Sequence, residues 1–326
     1  MYQPKFTARF IYNPIFWPIW LGFGVLWAMH WLPINLRYKT GSLIGLVMYA
    51  LAKKRKKLVE ANLKFAFADK PDFELKQLSR EHFKQLGISL IETTVIWWGE
   101  YRKHPKDGRE NAWVKYEGLA HLEQAIESNK GVLLVIPHFT TLEMFGLFTG
   151  LQTHYNAVYR PHDNPLMDYL IAKTRSLITK TGQKATPIAN NNTRQMLKVL
   201  RNGEALILLP DQRYRSRGHV KVPFFGEIAK SNPATSKIAK LTGCKVILCD
   251  IERTHTHHYV VRFSEALKDF PSDSPETDTL RLHRFYQDSI MRHPSQYLWS
   301  HNRWDLKWDR SEERRVGKEC VKQCRS

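Results

Sequence analysis

The chain of 326 residues is poor in cysteine and in acidic residues. It has four cysteines, and Cys244 and Cys249 flank an apolar run without the spacing of a zinc site, so we interpret them as reduced thiols. The 31 aspartates and glutamates are outnumbered by 50 lysines and arginines, which leaves a formal net charge of +19. Such an excess favours anionic partners: nucleic acid, acidic proteins or anionic lipid surfaces.

Residues 11–36 contain no fully charged side chain. Within them, residues 15–32 are apolar and rich in tryptophan, and their number reaches the lower limit for a membrane span, about 18. The segment lacks the small-residue cleavage site of a signal peptide. We predict that residues 1–40 form an N-terminal membrane anchor, as a transmembrane or an interfacial helix. A helix buried against the rest of the protein is the alternative.

Basic residues follow this segment. A short apolar run at 42–51 leads into residues 53–57, which are all lysine or arginine. This combination predicts an interfacial helix whose cations face anionic headgroups, with an ordinary solvated charge run as the alternative. By the positive-inside rule, the basic load after the anchor predicts that the rest of the protein stays on the cytoplasmic face.

Beyond residue 113, short apolar strands alternate with helical segments. This alternation predicts an α/β domain with a mixed, mostly parallel central sheet flanked by helices, and we assign residues 41–310 to it. Before the sheet, residues 75–98 repeat apolar side chains at helical spacing and predict a helix packed on the core. The charged, aperiodic segment 311–326 resembles a non-native tail, so Cys320 and Cys324 receive no function.

Two predicted strands end in residues that can carry chemistry. His138 follows one apolar strand and Asp211 follows another, and ligands of such sheets bind at the carboxyl ends of strands. Glu143, in a His-x4-Glu spacing, can orient the imidazole of His138, which then accepts a proton from a hydroxyl. Thr140 and Glu143 also have the spacing of a capping box, so a purely structural role for this carboxylate is the alternative.

The His-x4-Glu pair resembles the first signature block of the glycerolipid and lipid A acyltransferases. Further blocks follow in order over roughly residues 10–308, and with them the chain resembles the late-acting lipid A biosynthesis acyltransferases. One departure is Pro137, because many members have Asn or Gly before the histidine. The blocks that carry the resemblance are Lys54 to Phe67, Tyr159-Arg160-Pro161, Gly203 to Gln212, Val222 to Gly226 and Trp299 to Trp304.

The resemblance implies a reaction. An acyl chain moves from an acyl-acyl carrier protein thioester to a hydroxyl of a hydroxyacyl chain on a Kdo-bearing lipid A precursor, with His138 as base and Glu143 as its orienting carboxylate. Arg175 is a candidate for the oxyanion, Asp211 for pairing with Arg175 or another arginine, and Arg160 for a phosphate. Because the thioester is already activated, this chemistry requires no metal or other cofactor.

The implied partners are the acyl carrier protein, the lipid A precursor and the bacterial inner membrane, with no nucleic acid and with the chain as a monomer. An acidic carrier suits the basic residues Arg213, Arg215, Arg217 and Lys221. One alternative is an acyltransferase for another membrane lipid, such as a lysophospholipid or an ornithine lipid. Another is a basic, membrane-attached nucleic-acid or protein adaptor, although no nucleic-acid-binding motif is visible.

Overall fold

The computed structural model describes residues 5–98, 113–175, 182 and 185–305. The segment predicted as a tail, with Cys320 and Cys324, lies outside the described residues. The helices in the described part are α1 (Arg9–Tyr12), α2 (Trp17–His30), α3 (Ile34–Leu51), α4 (Lys53–Ala66), α5 (Asp72–Trp97), α6 (Leu119–Glu127), α7 (Leu142–Gly150), α8 (Pro165–Arg175), α9 (Thr193–Arg201), α10 (Ala234–Thr242) and α11 (Pro275–Arg292), with short 3₁₀ helices at Pro14–Phe16 and Pro294–Gln296.

Prolines divide the apolar N-terminal segment into separate helices. Pro14 begins the 3₁₀ turn between α1 and α2, and Pro33 separates α2 from α3. Proline has no amide hydrogen to donate and cannot continue a preceding helix, but it is tolerated in a first turn, where Pro18 of α2 lies.

This division corrects the prediction of a transmembrane anchor. Helix α2 has 14 residues and is about 21 Å long at the usual helical rise, whereas the hydrocarbon core of a bilayer is about 30 Å thick. Over the ranges that the structure describes, no helix combines the length and the apolar character that a membrane crossing requires.

Helices α3 and α5 cross in backbone contact. A Cβ atom added at Gly87 of α5 would lie 2.1 Å from the carbonyl oxygen of Gly41, and one added at Gly45 would lie 2.1 Å from that of Phe83. Glycines at these positions therefore permit the close approach. Leu43, on the same helix α3, remains exposed.

The core is a seven-stranded sheet in the order β1-β9-β8-β2-β5-β3-β4. Strands β8, β2, β5, β3 and β4 are parallel, β9 is antiparallel to β8, and β1 is parallel to β9. The α/β class with a mostly parallel sheet is thereby confirmed. The strands are β1 (Val114–Glu117), β2 (Val132–Val135), β3 (Tyr155–Tyr159), β4 (Thr186–Ala189), β5 (Ala205–Leu208), β8 (Lys245–His255) and β9 (His258–Ala266), and β6 (Val220–Phe224) pairs with β7 (Glu227–Ser231) in a separate hairpin.

The central strands are completely enclosed. Every side chain from Val132 to Ile136 is fully buried, and the four residues of β5 are buried beside them. Helices α6 to α11 pack on this sheet or against one another around it. Strands enclosed on both faces are continuous apolar runs, as expected for the centre of a parallel sheet. The polar residues that follow these strands therefore lie at the edge of a rigid core.

Candidate active site

The register of two neighbouring strands brings His138 and Asp211 together. β2 and β5 are parallel, with Val135 opposite Leu208. Each strand continues through one apolar residue and one proline before its polar residue. Because strands in register rise by equal amounts per residue, the two polar residues emerge side by side.

The imidazole of His138 is held by the carboxylate of Asp211. Nδ1 of His138 lies 2.5 Å from Oδ1 of Asp211. The other carboxylate oxygen accepts from the backbone amide of His138 at 3.1 Å and from the hydroxyl of Tyr297 at 3.0 Å. Asp211 is 1% exposed, so these bonds fix the position of the carboxylate and, through it, the orientation of the ring.

The protonation state of the pair follows from its surroundings. Burial by itself raises the pKa of the Asp211 carboxyl, but the positive charge and the hydrogen bonds of His138 outweigh burial and hold that pKa below its usual value. An ionised carboxylate only accepts hydrogen bonds, so Nδ1 of His138 carries the proton. In the neutral imidazole, Nε2 then has the free lone pair, which is the arrangement that general base catalysis requires.

Residues 298–305, called the closing segment below, lie beside the His138–Asp211 pair. The backbone amide of Leu298 donates to the carbonyl of His138 at 2.8 Å. Nδ2 of Asn62, from α4, donates to the carbonyls of Trp299 and His301, at 2.6 Å each. Helix α4 and the closing segment therefore form one hydrogen-bonded unit beside the strand ends.

A cavity of about 430 Å³ opens beside His138. Its wall is mainly apolar and aromatic, and Glu143 and Gln212 add polar groups. The apolar and aromatic residues of the lining come from α7, β3, β5 and their ends, and they include Leu142, Phe145, Tyr155, Val158, Tyr159 and Ile207. A wall of this kind suits an aliphatic chain, and the polar groups lie where a reacting group has to be oriented.

The carboxylate of Glu143 lies in the first turn of α7 and lines the same cavity as His138. The capping box that sequence spacing offered as an alternative is not formed. The N-cap residue of α7 is Thr141 rather than Thr140, and its side chain makes no capping hydrogen bond.

The pairing of Asp211 with Arg175 or another arginine stays a prediction. The hydrogen bonds of its carboxylate go to His138 and Tyr297. The side chain of Arg175, at the end of α8, lies outside the described residues. Arg160 lines the cavity, and its exposed guanidinium lies 3.8 Å from the carboxylate of Asp163.

Arg213 does not contribute to the basic surface that the sequence predicts for an acidic partner. The side chain of Arg213 is only 3% exposed and forms an ion pair with Asp305. The guanidinium of Arg213 is withdrawn from solvent, and its ion pair holds Asp305 of the closing segment. Arg215, Arg217 and Lys221 are exposed.

Sequence reasoning missed Tyr297, whose hydroxyl is buried on Asp211. Burial, and after it the negative charge of Asp211, raises the pKa of this phenol well above its usual value, so the hydroxyl stays a donor. A signal was present in the sequence: Tyr297 lies just before the Trp-x-His-x-Arg-Trp block.

Two buried histidines and the half-buried His301 predict sensitivity to acid. Burial lowers the pKa of His82, His283 and His301 to about 4, whereas in the unfolded chain they titrate near pH 6.5. Between these values the unfolded state binds more protons, so stability is expected to fall as the pH drops from 6.5 to 4. The loss is up to ~1.4 kcal/mol per pH unit for each histidine.

Urea unfolding at pH 7.5, 6.0 and 5.0 measures this dependence. Replacing His82 by leucine is expected to reduce the slope between pH 6 and 5 by about a third, because one of three titrating groups is removed. A slope unchanged by the substitution would contradict the assignment. The carboxyl of Asp250 does not interfere. Burial raises its pKa, but the hydrogen bond and charge of His293 lower that pKa by more, to about 2, which is below this pH range.

The chain is similar to proteins of known activity over nearly its whole length. A family model described as bacterial lipid A biosynthesis acyltransferase matches residues 3–305. The lipid A biosynthesis palmitoleoyltransferase of Escherichia coli (strain K12) is 31% identical over 305 residues, which cover 93% of this chain and 95% of that protein. The lipid A biosynthesis lauroyltransferase of the same strain is 30% identical over 303 residues, with 92% and 95% covered. A lipid A biosynthesis acyltransferase of Haemophilus influenzae is 28% identical over 314 residues, with 94% and 95% covered.

Proposed function

The chain belongs to the bacterial lipid A biosynthesis acyltransferase family and is an acyltransferase. We propose that it moves a fatty acyl chain from acyl-acyl carrier protein to a lipid A precursor. The acceptor is a hydroxyl of a hydroxyacyl chain on that precursor. The observation that carries this proposal is the His138–Asp211 pair beside a cavity with apolar walls. A thioester donor is already activated, so transfer to a hydroxyl needs a base and stabilisation of the oxyanion.

In the proposed reaction, Nε2 of His138 accepts the proton of the acceptor hydroxyl as its oxygen attacks the thioester carbonyl. The negative charge of Asp211 stabilises the imidazolium that forms. When the carbon–sulfur bond breaks, the imidazolium returns the proton to the leaving thiolate. The products are the ester and the free thiol of the carrier, and the pair is restored.

The two carboxylates near His138 take different roles in this proposal. Asp211 occupies Nδ1 and therefore performs the orienting function that the sequence suggested for Glu143. A second carboxylate on Nε2 would keep the ring protonated and unable to act as a base. We therefore assign Glu143 to positioning the acceptor hydroxyl in the cavity that both residues line.

Arginines and amides complete the proposed site. Arg160, exposed beside the cavity, is placed to contact a phosphate of the acceptor. Arg175 remains our candidate for the oxyanion together with backbone amides at the start of α7. Replacing Arg160 by glutamine is expected to raise KM for a phosphorylated acceptor more than it lowers kcat.

We propose that α2 and α3 bind the membrane interface and form an interfacial rather than a spanning anchor. The protein then acts as a monomer, with its active site on the cytoplasmic face of the inner membrane. Large apolar side chains are exposed on these helices and between them, including Trp27 on α2, Trp31 directly after it and Leu51 on α3. Exposed apolar patches of this kind mark interaction surfaces. The lysines and arginine of α4 follow directly, and each cation near an anionic surface adds about 1 kcal/mol of attraction.

Removing two interfacial tryptophans is expected to weaken membrane binding. Changing Trp27 and Trp31 to alanine should lower partitioning onto phosphatidylglycerol vesicles about tenfold or more, because each ring loses its burial in the interface. Vesicle flotation measures this partitioning. The matched control is Phe73→Ala, which removes an equally exposed ring from α5. Equal losses in control and double variant would contradict the assignment to α2.

The acidic carrier is proposed to bind near Arg215, Arg217 and Lys221, which are exposed beyond Asp211. Changing Arg217 to glutamate is expected to raise KM for the acyl-acyl carrier protein while kcat stays close to that of the parent. A KM that does not change would place the carrier elsewhere.

The proposed function is tested by a transfer assay with acyl-acyl carrier protein and a lipid A precursor, followed by mass spectrometry of the product. The expected product gains one acyl chain as an ester. The matching cellular experiment is the mass spectrum of lipid A from cells that lack the protein, which should contain one chain fewer. An unchanged acyl count, with transfer to a lysophospholipid or an ornithine lipid in the assay, would favour another lipid acceptor.

A further inference from the structure

A second cavity, of about 260 Å³, lies between α3, α5 and the tip of the β8–β9 hairpin. Two cationic side chains line it, Lys39 from α3 and Arg253 from β8. Ser42, Thr254, His255 and Thr256 line it as well. Within the part of the chain that the structure describes, no aspartate or glutamate lines this cavity. The charged side chains of its wall are therefore cationic, and Tyr38, Gln85 and Ile88 complete the lining.

The guanidinium of Arg253 is buried and incompletely satisfied. Its Nε donates to Glu92 at 2.7 Å, and Nη1 donates to the side-chain oxygen of Gln85. Nη2 is shielded from solvent and has no hydrogen-bond partner among the described residues. A buried charged donor without an acceptor costs free energy, so an acceptor in the adjoining cavity would stabilise it.

The charges at this cavity are arranged for an anion. Glu92 pairs with Nε of the guanidinium, and its carboxylate is almost fully buried. Lys39 adds a second, exposed positive charge at the outer edge. A planar guanidinium, an ammonium and hydroxyl donors converging on one space form the donor set that phosphate oxygens accept from.

We propose that this cavity binds a phosphate group through the guanidinium of Arg253 and Nζ of Lys39. Its volume is several times the roughly 30 Å³ that one water molecule occupies in the liquid, which is room for a phosphate group. Free phosphate and the headgroup of an anionic lipid offer the same chemistry, and the exposed Leu36 and Leu43 on α3 would suit a headgroup whose chains lie in a membrane. This inference is independent of the proposed acyl transfer.

The phosphate site is connected to the loop that carries His138. The side chain of Gln296 accepts from the amide of Arg253 at 2.9 Å and donates to its carbonyl at 2.8 Å. The carbonyl of Gln296 accepts from the amide of Thr140 at 2.8 Å. One residue therefore separates the proposed site from the loop between His138 and α7.

Titration of the purified full chain with inorganic phosphate by calorimetry, against chloride at matched ionic strength, tests the proposal. Lys39→Gln is expected to weaken phosphate binding about tenfold, which is the scale of one charge-assisted hydrogen bond. Arg253→Lys is expected to weaken it similarly while keeping a positive charge beside Glu92. The matched control is Lys76→Gln, which removes an exposed lysine from α5 and should bind phosphate like the parent.

A second titration distinguishes the two sources of phosphate. Vesicles of phosphatidylglycerol and of phosphatidylcholine are compared for the parent and the same three variants. If Lys39→Gln and Arg253→Lys selectively lose binding to phosphatidylglycerol, and the parent does not bind inorganic phosphate, the ligand is a lipid headgroup. If the parent binds neither probe, or if Lys39→Gln binds both as the parent does, the proposal is overturned. Because Lys39 is exposed, its variant decides the matter even where Arg253→Lys fails to fold.

Discussion

Changing Asp211 to asparagine is expected to lower kcat of acyl transfer by a factor on the order of 10³–10⁴. The amide keeps the volume of the carboxylate but loses its charge, so it neither fixes the proton on Nδ1 of His138 nor stabilises the imidazolium. Where the side-chain NH2 of the asparagine faces Nδ1 of His138, it donates to that nitrogen. The proton of the ring is then on Nε2, which is the wrong tautomer for a base. Steady-state kinetics with acyl-acyl carrier protein measure the effect, and His138→Ala should lose at least as much.

Two further variants make this result specific. Asp278→Asn is the matched control, because Asp278 is also a buried carboxylate and accepts hydrogen bonds from the amide of Ser272, outside the site. It is expected to lower stability and leave kcat within a few-fold of the parent. Glu143→Gln separates the two carboxylates of the site. If Glu143→Gln abolishes transfer while Asp211→Asn keeps it, the orienting role belongs to Glu143.

The partner of His138 shows what one sequence could predict and where it stopped. The His-x4-Glu spacing is local, so Glu143 was the visible candidate, whereas Asp211 is 73 residues away in the chain. Both strand ends were predicted as chemically important. Their pairing depends on β2 and β5 being neighbours, although β3 and β4 lie between them in sequence. Strand order is set by packing of the whole sheet, which local patterns do not specify.

The apolar runs that predict strands in the sequence do not include β4, β6 or β7, and the residues of two of these strands show the physical reason. β4 contains Pro187 and β6 contains Pro223, and a proline inside an apolar run argues against a strand because it cannot donate to the ladder. Both strands lie where this deficit is tolerated, at the edge of the main sheet and in a two-stranded hairpin. β7 was missed with β6. The turn between them, Phe225-Gly226, has positive φ at both residues, as a two-residue hairpin loop requires.

The N-terminal segment was misjudged because composition counts apolar residues without regard to helix breaks. Its length reached the threshold for a span, yet Pro14 and Pro33 limit the uninterrupted helix to α2. Tryptophans predicted for a bilayer interface are exposed on that helix and directly after it, at Trp27 and Trp31. The composition therefore indicated an apolar surface correctly, and the prolines decided its geometry.

Replacing Glu92 by alanine is expected to destabilise the fold by about 3–5 kcal/mol, the usual cost of breaking a buried ion pair from one side. Its carboxylate accepts from Nε of Arg253 and from the hydroxyl of Tyr259, and that hydroxyl lies 2.5 Å from the hydroxyl of Tyr38. These contacts join α5 to β8, β9 and α3. Without the carboxylate, Arg253 keeps its charge in a buried place, because a guanidinium does not deprotonate in proteins.

Burial, not the ion-pair distance, is the cause of this expected loss, and a second ion pair, formed by Glu74 in the first turn of α5, tests that reasoning. Glu74 lies 2.7 Å from Lys70, the same distance as Glu92 from Arg253, but both of its side chains are exposed. Glu74→Ala should therefore cost less than about 1 kcal/mol in urea unfolding. Glu92→Gln should fall between the two, because it keeps an acceptor for Arg253 and loses only the charge. Equal losses for Glu92→Ala and Glu74→Ala would mean that the buried network adds no stability beyond that of a surface pair.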